Sequence, residues 1–282
     1  MNVLSLFDPW RSNLCTCPRK LTLNSYTGCD HGCLYCYASS YIADFSRCRP
    51  KENLIQKLRH EVPRLNGEIV SISNSSDPYP NLEAETRLTR KCLEILSDCS
   101  CKIQIITKSN LVVRDIDLLK KVPSMVALTV TTDDDATARI IEPYAPPPSK
   151  RLQGIKMLTH AGVATSVRID PFIPFVNDNP EKLVRKLASF GARHITSSTY
   201  KIRPDSWRRF SAAMPEIAAK LKPLYFERGE KVAGYLLLPV HLRLALMEKV
   251  RSLVEREGIR FGACREGVSH LNTGTCDGSW ML

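Results

Sequence analysis

The chain has 282 residues, 43% hydrophobic and 24% charged, with 40 Lys and Arg against 29 Asp and Glu, a formal net charge of +11. These proportions fit a soluble globular protein with a sizeable core, and the lack of any apolar run of about 18 residues excludes an expected membrane span. The basic balance favours polyanionic partners, DNA or RNA among them.

In chain order, MNVLSLFDPWRSN lacks the basic start and long apolar run of a secretion signal, so a cytoplasmic location is expected. The 11 cysteines then read as thiols or metal ligands, because an odd count in a reducing compartment does not make a disulfide framework. Cys15 and Cys17 lie in NLCTCPRK, a loop-like stretch before a weak strand at Leu21–Ser25. Next comes GCDHGCLYCYASSY, Gly28 to Tyr41, with Cys29, Cys33 and Cys36 at spacing C-x3-C-x2-C. Leu54, Leu58 and Val62 give KENLIQKLRHEV a helical face. Runs rich in Val, Ile and Thr predict strands at Glu68–Asn74, Lys102–Lys108, Met125–Thr132, Val163–Asp170 and Ala192–Thr199. Helical periodicity lies between them in LEAETRLTRKCLEIL, where Cys92 reads as core packing, in SKRLQGIKMLTHAG and in NPEKLVRKLASFG. Gly162 and Gly191 are the expected stops of the last two. EPYAPPPSKR, Glu142 to Arg151, reads as a stiff connector or part of a substrate mouth.

Strand alternating with helix six times predicts an α/β fold, a partial (β/α)6 barrel of the TIM type; a doubly wound sheet is the alternative. Its domain would span residues 1–200, with an α-rich extension over 201–282 that ends in a cysteine-containing tail. Polar residues follow each strand: the cysteine loop, NSSDPYPN, KSN, TTDDD, and Arg168 with Asp170. That repetition is what one active face at the strand ends would produce.

Four thiolates close a tetrahedral metal site, whereas three leave one iron of a four-iron cluster open to a small molecule. The spacing is too tight and too short of ligands for a zinc finger, and His31, inside the loop, reads as a loop-surface residue. C-x3-C-x2-C after a first strand, with an aromatic beside the last cysteine, resembles the radical S-adenosylmethionine (SAM) enzymes. GCDHGCLYCYA, SNSSDPYPNLEAETR, ITKSNLVVRD, EPYAPPPSKRLQGIKMLTHAG and RIDPFIP resemble, in that order, the spore photoproduct lyase-like proteins, also labelled DNA repair photolyases.

The resemblance implies a 4Fe-4S cluster on Cys29, Cys33 and Cys36, whose open iron binds S-adenosylmethionine. Reductive cleavage would give a 5′-deoxyadenosyl radical that takes a hydrogen atom from a substrate, with ferredoxin or flavodoxin as electron donor. It places Tyr37 near the adenine, Ser75, Ser76 and Asp77 at the amino acid end or ribose, and Lys108 at the carboxylate. Thr129 or Thr131 and Arg168 would face the ribose and carboxylate. Tyr35 and Tyr37 match relay tyrosines of the family and equally suit cofactor packing. The bland alternatives are a solvated strand-end Lys108 and an Arg168–Asp170 ion pair bracing the rim. Where spore photoproduct lyase has a hydrogen-donating cysteine, this chain has Asn74, whose amide cannot donate a hydrogen atom in that way. Lesion repair or base modification of nucleic acid is the expected activity. Radical chemistry on a small molecule or peptide is a second reading, and a non-catalytic, metal-stabilised nucleic-acid-binding protein a third.

Toward the C-terminus, Lys201, Arg203, Arg208, Arg209, Lys220 and Lys222 interleave with Tyr200, Trp207 and Phe210. That pattern is a nucleic-acid surface or, as the favoured reading, a charged helix face whose aromatics pack inward. PEIAAKLKPLYFERGEKV and HLRLALMEKVRSLVEREG are expected helices. Cys264 and Cys276 lie in FGACREGVSHLNTGTCDGSW, again loop-like. With Cys15 and Cys17 they could form an auxiliary iron–sulfur or zinc site, with His270 as a substitute ligand.

Overall fold

The computed structural model describes residues 2–7, 14–72 and 74–282; part of the opening stretch MNVLSLFDPWRSN, and Ser73 in the expected strand Glu68–Asn74, lie outside them. Strands β1 (Ser5–Leu6), β2 (Leu21–Leu23), β3 (Tyr26–Thr27) and β4 (Arg49–Pro50) come first. Helix α1 (Leu54–Glu61), β5 (Ile69–Ile72), α2 (Glu83–Thr86), α3 (Leu88–Leu96), β6 (Lys102–Thr107) and α4 (Ile116–Leu119) follow. Next are β7 (Ser124–Thr129), α5 (Asp135–Ile141), α6 (Pro148–His160), β8 (Ala164–Phe172), α7 (Glu181–Ser189) and β9 (His194–Thr199). The last part holds α8 (Pro204–Ala213), α9 (Pro215–Lys222), β10 (Glu230–Val232), β11 (Tyr235–Leu237), α10 (Val240–Arg256) and β12 (Arg260–Ala263).

The six expected strands, β2, β5, β6, β7, β8 and β9, pair in parallel in that order. Two more extend the sheet: β1 pairs antiparallel with β2 at one edge, and β12 pairs in parallel with β9 at the other. The extension after residue 200 is helical in α8, α9 and α10, yet it also returns β12 to the sheet and builds the β10–β11 hairpin. Glu230–Val232, the end of an expected helix, is a strand because the helix stops at Pro223 and a short π turn follows. LEAETRLTRKCLEIL is two helices, because Arg87 adopts φ 51° between them. The buried Glu83 carboxylate turns back and accepts the Thr89 and Arg90 amides at 2.8 and 3.2 Å, capping α3. Gly162 and Gly191 end α6 and α7 in left-handed geometry, as expected.

Side chains alternate across each strand, and the two faces have different tasks. Val70, Ile72, Ile103, Ile105, Val126, Leu128, Val167, Ile169 and Ile195 point outward, into one apolar core with α1, α3, α6, α7 and α10. Each such buried aliphatic side chain contributes about 1.5–3 kcal/mol. The alternate residues turn inward and are mostly polar. Gln104, Met125, Ser166, His194 and Thr196 there meet the tail around Cys276–Trp280, which fills the inside of the open barrel. A second apolar cluster packs Tyr200, just after β9, and Phe210, Leu221 and Tyr225 from α8, α9 and the π turn against Tyr35, Cys33 and Leu34. Tyr200 and Phe210 are therefore interior packing, the favoured reading of that stretch. No helix among the described residues is long and apolar enough to cross a membrane.

Candidate cofactor site at the strand ends

The loop after β2 is held by backbone contacts that its glycines permit. Gly28 has φ 83°, and a Cβ there would lie 2.6 Å from the carbonyl oxygens of Phe45 and Arg47. That approach lets the Cys29 amide donate to Phe45 O at 2.7 Å. Gly32, at φ 65°, lies under Tyr144, whose ring a Cβ would meet at 2.7 Å. Leu34 N donates to Ile141 O at 2.9 Å and Tyr144 N to His31 O at 3.2 Å. The proline-rich stretch beginning at Glu142 thus backs the cysteine loop. His31 is buried at 2% exposure, a correction of its expected surface position, because the Tyr144 segment covers it and Asp77 lies 3.6 Å from its ring. From α8, Arg209 donates to Cys36 O at 3.0 Å and pairs with Asp205 at 2.9 Å. Ser39 donates to Asp205 at 2.5 Å, so the C-terminal extension clamps the last turn of the loop.

Cys29, Cys33 and Cys36 line a cavity of about 560 Å³ at the C-terminal ends of the strands. Burial pushes all three thiols up, Cys33 to about 12 despite the nearby Lys108 ammonium. A thiolate at these positions needs the charge of a metal to form. Three converging soft donors beside an open cavity fit an iron–sulfur cluster with one iron left to a ligand, as the spacing predicts.

The other candidates gather around the same cavity, with one exception. Ser75, Ser76 and Asp77 line it beyond β5, Lys108 at the end of β6, Thr129 at the end of β7 and Arg168 on β8. Asp77 accepts from Thr107 Oγ1 at 2.6 Å, from the Lys108 amide at 2.7 Å and from the Tyr79 amide at 2.9 Å. Its carboxylate ties two strand ends together. Lys108 Nζ lies 5.4 Å from the centre of the Tyr35 ring. Burial alone would lower the Lys108 pKa, but Cys33 and Glu142 outweigh it and the pKa is raised. Arg168 pairs with Asp170, which Ser198 also contacts, so the rim ion pair exists and its guanidinium still faces the cavity. Thr131 is the exception: it turns to Glu142 at 2.6 Å and to Tyr35 at 3.3 Å, below the cavity wall. Tyr35 bonds to that carboxylate as well, while Tyr37 donates to Asn74 O at 2.8 Å.

At the rim, Tyr37 lies 6.3 Å from both Tyr41 and Tyr235, stacked on the first and edge-on to the second. The guanidinium groups of Arg203 and Arg265 lie 4.3 and 5.1 Å from the Tyr235 ring. Cys15, Cys17 and Cys264 line the same cavity, and Cys17 Sγ is 3.3 Å from Cys276 Sγ. His270 is exposed and does not line it.

Sequence reasoning missed Glu142, Arg151, Tyr235 and Arg265. Glu142 and Arg151 form a fully buried ion pair at 2.5 Å beneath Cys33. The stretch that begins and ends with them is marked in the sequence by its prolines, and two opposite charges at its ends are the available signal. Tyr235 and Arg265 carried none, since only the β10–β11 hairpin and the turn after β12 bring them to the rim.

A family model described as the radical SAM superfamily matches residues 23–187. An uncharacterized protein of Mycobacterium tuberculosis is 29% identical over 266 residues, covering 86% of this chain and 76% of that one. One of Methanocaldococcus jannaschii is 35% identical over 166 residues, covering 56% and 62%. Among solved structures, spore photoproduct lyase complexed with dinucleoside spore photoproduct superimposes with a TM-score of 0.65 at 14% identity, over 84% of this chain and 72% of that one. Streptococcus suis SuiB bound to precursor peptide SuiA gives 0.58 at 13% identity, over 86% and 48%. At these identities the structural matches show a shared fold.

Proposed function

The chain belongs to the radical SAM superfamily, and from that premise we propose that this radical SAM enzyme acts on nucleic acid, in lesion repair or base modification. When bound, the 4Fe-4S cluster and S-adenosylmethionine supply a carbon radical that abstracts a hydrogen atom. Cys29, Cys33 and Cys36 hold the cluster, and Arg209 and Ser39 fix the Cys36 end of their loop. Lys108 receives the carboxylate of S-adenosylmethionine, with Ser75, Ser76, Thr129 and Arg168 along the rest of the cofactor. Asp77 positions Lys108 through its amide. Tyr35 and Thr131 support the wall through Glu142, and Tyr37 packs beside the adenine. Asn74 at the cavity stands against spore photoproduct itself as the substrate. A reductant such as ferredoxin or flavodoxin, and a cytoplasmic location, fit a cluster that must be kept reduced.

The observation carrying the nucleic-acid reading is the rim. Tyr41, 42% exposed and stacked on Tyr37, offers a flat face for an unstacked base, and Arg203 and Arg265, packed on the buried Tyr235 ring, supply fixed charge for phosphates. The test is binding of single-stranded DNA and RNA to the reconstituted enzyme over a salt series, alongside 5′-deoxyadenosine release under reductant. Affinity should fall steeply with salt, and Tyr41→Ala should weaken it roughly tenfold while 5′-deoxyadenosine still forms. Salt-insensitive or absent binding would move the substrate to a small molecule or peptide. An intact, reducible cluster that never yields 5′-deoxyadenosine would leave a binding protein.

A further inference from the structure

Four cysteines outside the first motif come from the two ends of the chain: Cys17 touches Cys276, Cys15 lies on the Cys17 turn, and Cys264 lines the same cavity as Cys15 and Cys17. We propose that Cys15, Cys17, Cys264 and Cys276 hold a second metal centre of the tetrathiolate class, zinc or iron–sulfur, on the wall of the cavity that Cys29, Cys33 and Cys36 face.

The sulfur geometry is the first argument. Cys17 Sγ and Cys276 Sγ stand 3.3 Å apart. A disulfide needs about 2.05 Å. Two thiolates on one tetrahedral metal, each about 2.3 Å from it, stand roughly 3.8 Å apart. The observed separation is nearer the metal arrangement. Cys15 Sγ accepts the Cys17 amide at 3.5 Å, which sets it on the same turn. Cys264 follows β12, faces the cavity with Cys15 and Cys17, and lies within hydrogen-bonding reach of Arg168.

The second argument is what these cysteines do not do. Cys92, Cys99 and Cys101 belong to the apolar core, where a thiol is a small hydrophobe. None of the four packs in either apolar cluster.

The third is that the fold is built to bring the Cys17 and Cys276 segments together. Lys20, three residues after Cys17, forms a buried ion pair with Asp277, next to Cys276, and donates to Gln104 at 2.8 Å. Thr196 Oγ1 donates to Cys276 O at 3.0 Å. A Cβ on Gly262 would lie 2.6 Å from that same oxygen, so glycine is what lets the tail pass β12 so closely. With four protein thiolates the centre is closed and structural, tying the N-terminal arm to the tail. Four thiolates select zinc or iron over the oxygen-seeking cations.

The test uses the full chain, purified and reconstituted without oxygen, with zinc, iron and sulfide counted per chain. A Cys29→Ala/Cys33→Ala/Cys36→Ala variant should retain about one zinc, or a complement of iron with sulfide, and X-ray absorption should show sulfur ligation. Adding Cys17→Ala/Cys276→Ala should empty it. In the otherwise unchanged chain, Cys17→Ala/Cys276→Ala should lose that metal and keep about four irons. This second comparison decides the matter if the triple variant does not fold. Equal metal in the unchanged chain and the Cys17→Ala/Cys276→Ala variant, or a Cys17–Cys276 disulfide in its place, would overturn the proposal. A triple variant with the same iron as the unchanged chain would instead sink the first cluster's assignment and leave the second standing.

Discussion

Lys108 places a positive charge in the cavity near the Cys33 thiol, and its neighbours keep that charge in place. Glu142 lies beneath it; burial alone would raise the carboxyl's pKa, but Arg151 and Lys108 outweigh that and hold it below the usual range. The ammonium is therefore balanced from below and open above. If it receives the cofactor's carboxylate, Lys108→Met removes one charged hydrogen bond, worth about 1.5–3 kcal/mol. S-adenosylmethionine affinity should fall on the order of tenfold to a hundredfold by equilibrium dialysis, with cluster absorbance unchanged. An unchanged affinity would make Lys108 a wall residue only. Lys108 was legible from the sequence because it ends a strand whose inward side faces the site. Glu142 was not, because nothing local says that a carboxylate at the end of α5 will reach under Cys33. Thr131 failed for a related reason: β7 ends at Thr129, so strand alternation does not carry on to it.

The cysteine loop owes its shape to elements on either side of it. The turn at Phe45–Arg47, the Tyr144 segment and α8 each contribute backbone or charged contacts, so ligand spacing alone does not make the site. Gly28→Ala would drive a Cβ into two carbonyl oxygens at a φ that disfavours any side chain. The ligands would remain while the loop shifts. The expected outcome is a chain that folds, with unchanged circular dichroism, but retains less than half the iron of the unchanged protein after desalting. Full retention would mean that the loop can take another path. Helix and strand periods were readable here because their outward faces are apolar and regular. The break at Arg87 was not, since a buried Glu83 cap supplied by tertiary packing overrode a continuous helical pattern.

At the scale of the molecule, the six-strand alternation gave the barrel, but the closing of its open side depended on contacts between distant segments. β12 lies in a stretch whose Gly and Cys content reads as loop, and only its pairing with β9 makes it a strand. The tail then fills the barrel interior with polar groups, which is tolerable because each buried charge has a partner. Lys20 and Asp277 are the sharpest case, at 2% and 3% exposure. Burial would raise the Asp277 carboxyl, yet Lys20 and Ser279 hold it well below its ordinary value. Breaking such a pair from one side leaves an uncompensated charge and costs about 3–5 kcal/mol, whereas replacing both sides by uncharged groups costs far less. Asp277→Ala should therefore lower the melting temperature by roughly 10 °C for a chain of this size. Lys20→Met/Asp277→Ala should recover most of that loss. If the double variant were as unstable as the single one, the tail would be held by its backbone and glycine contacts, and the ion pair would be incidental to closing the barrel.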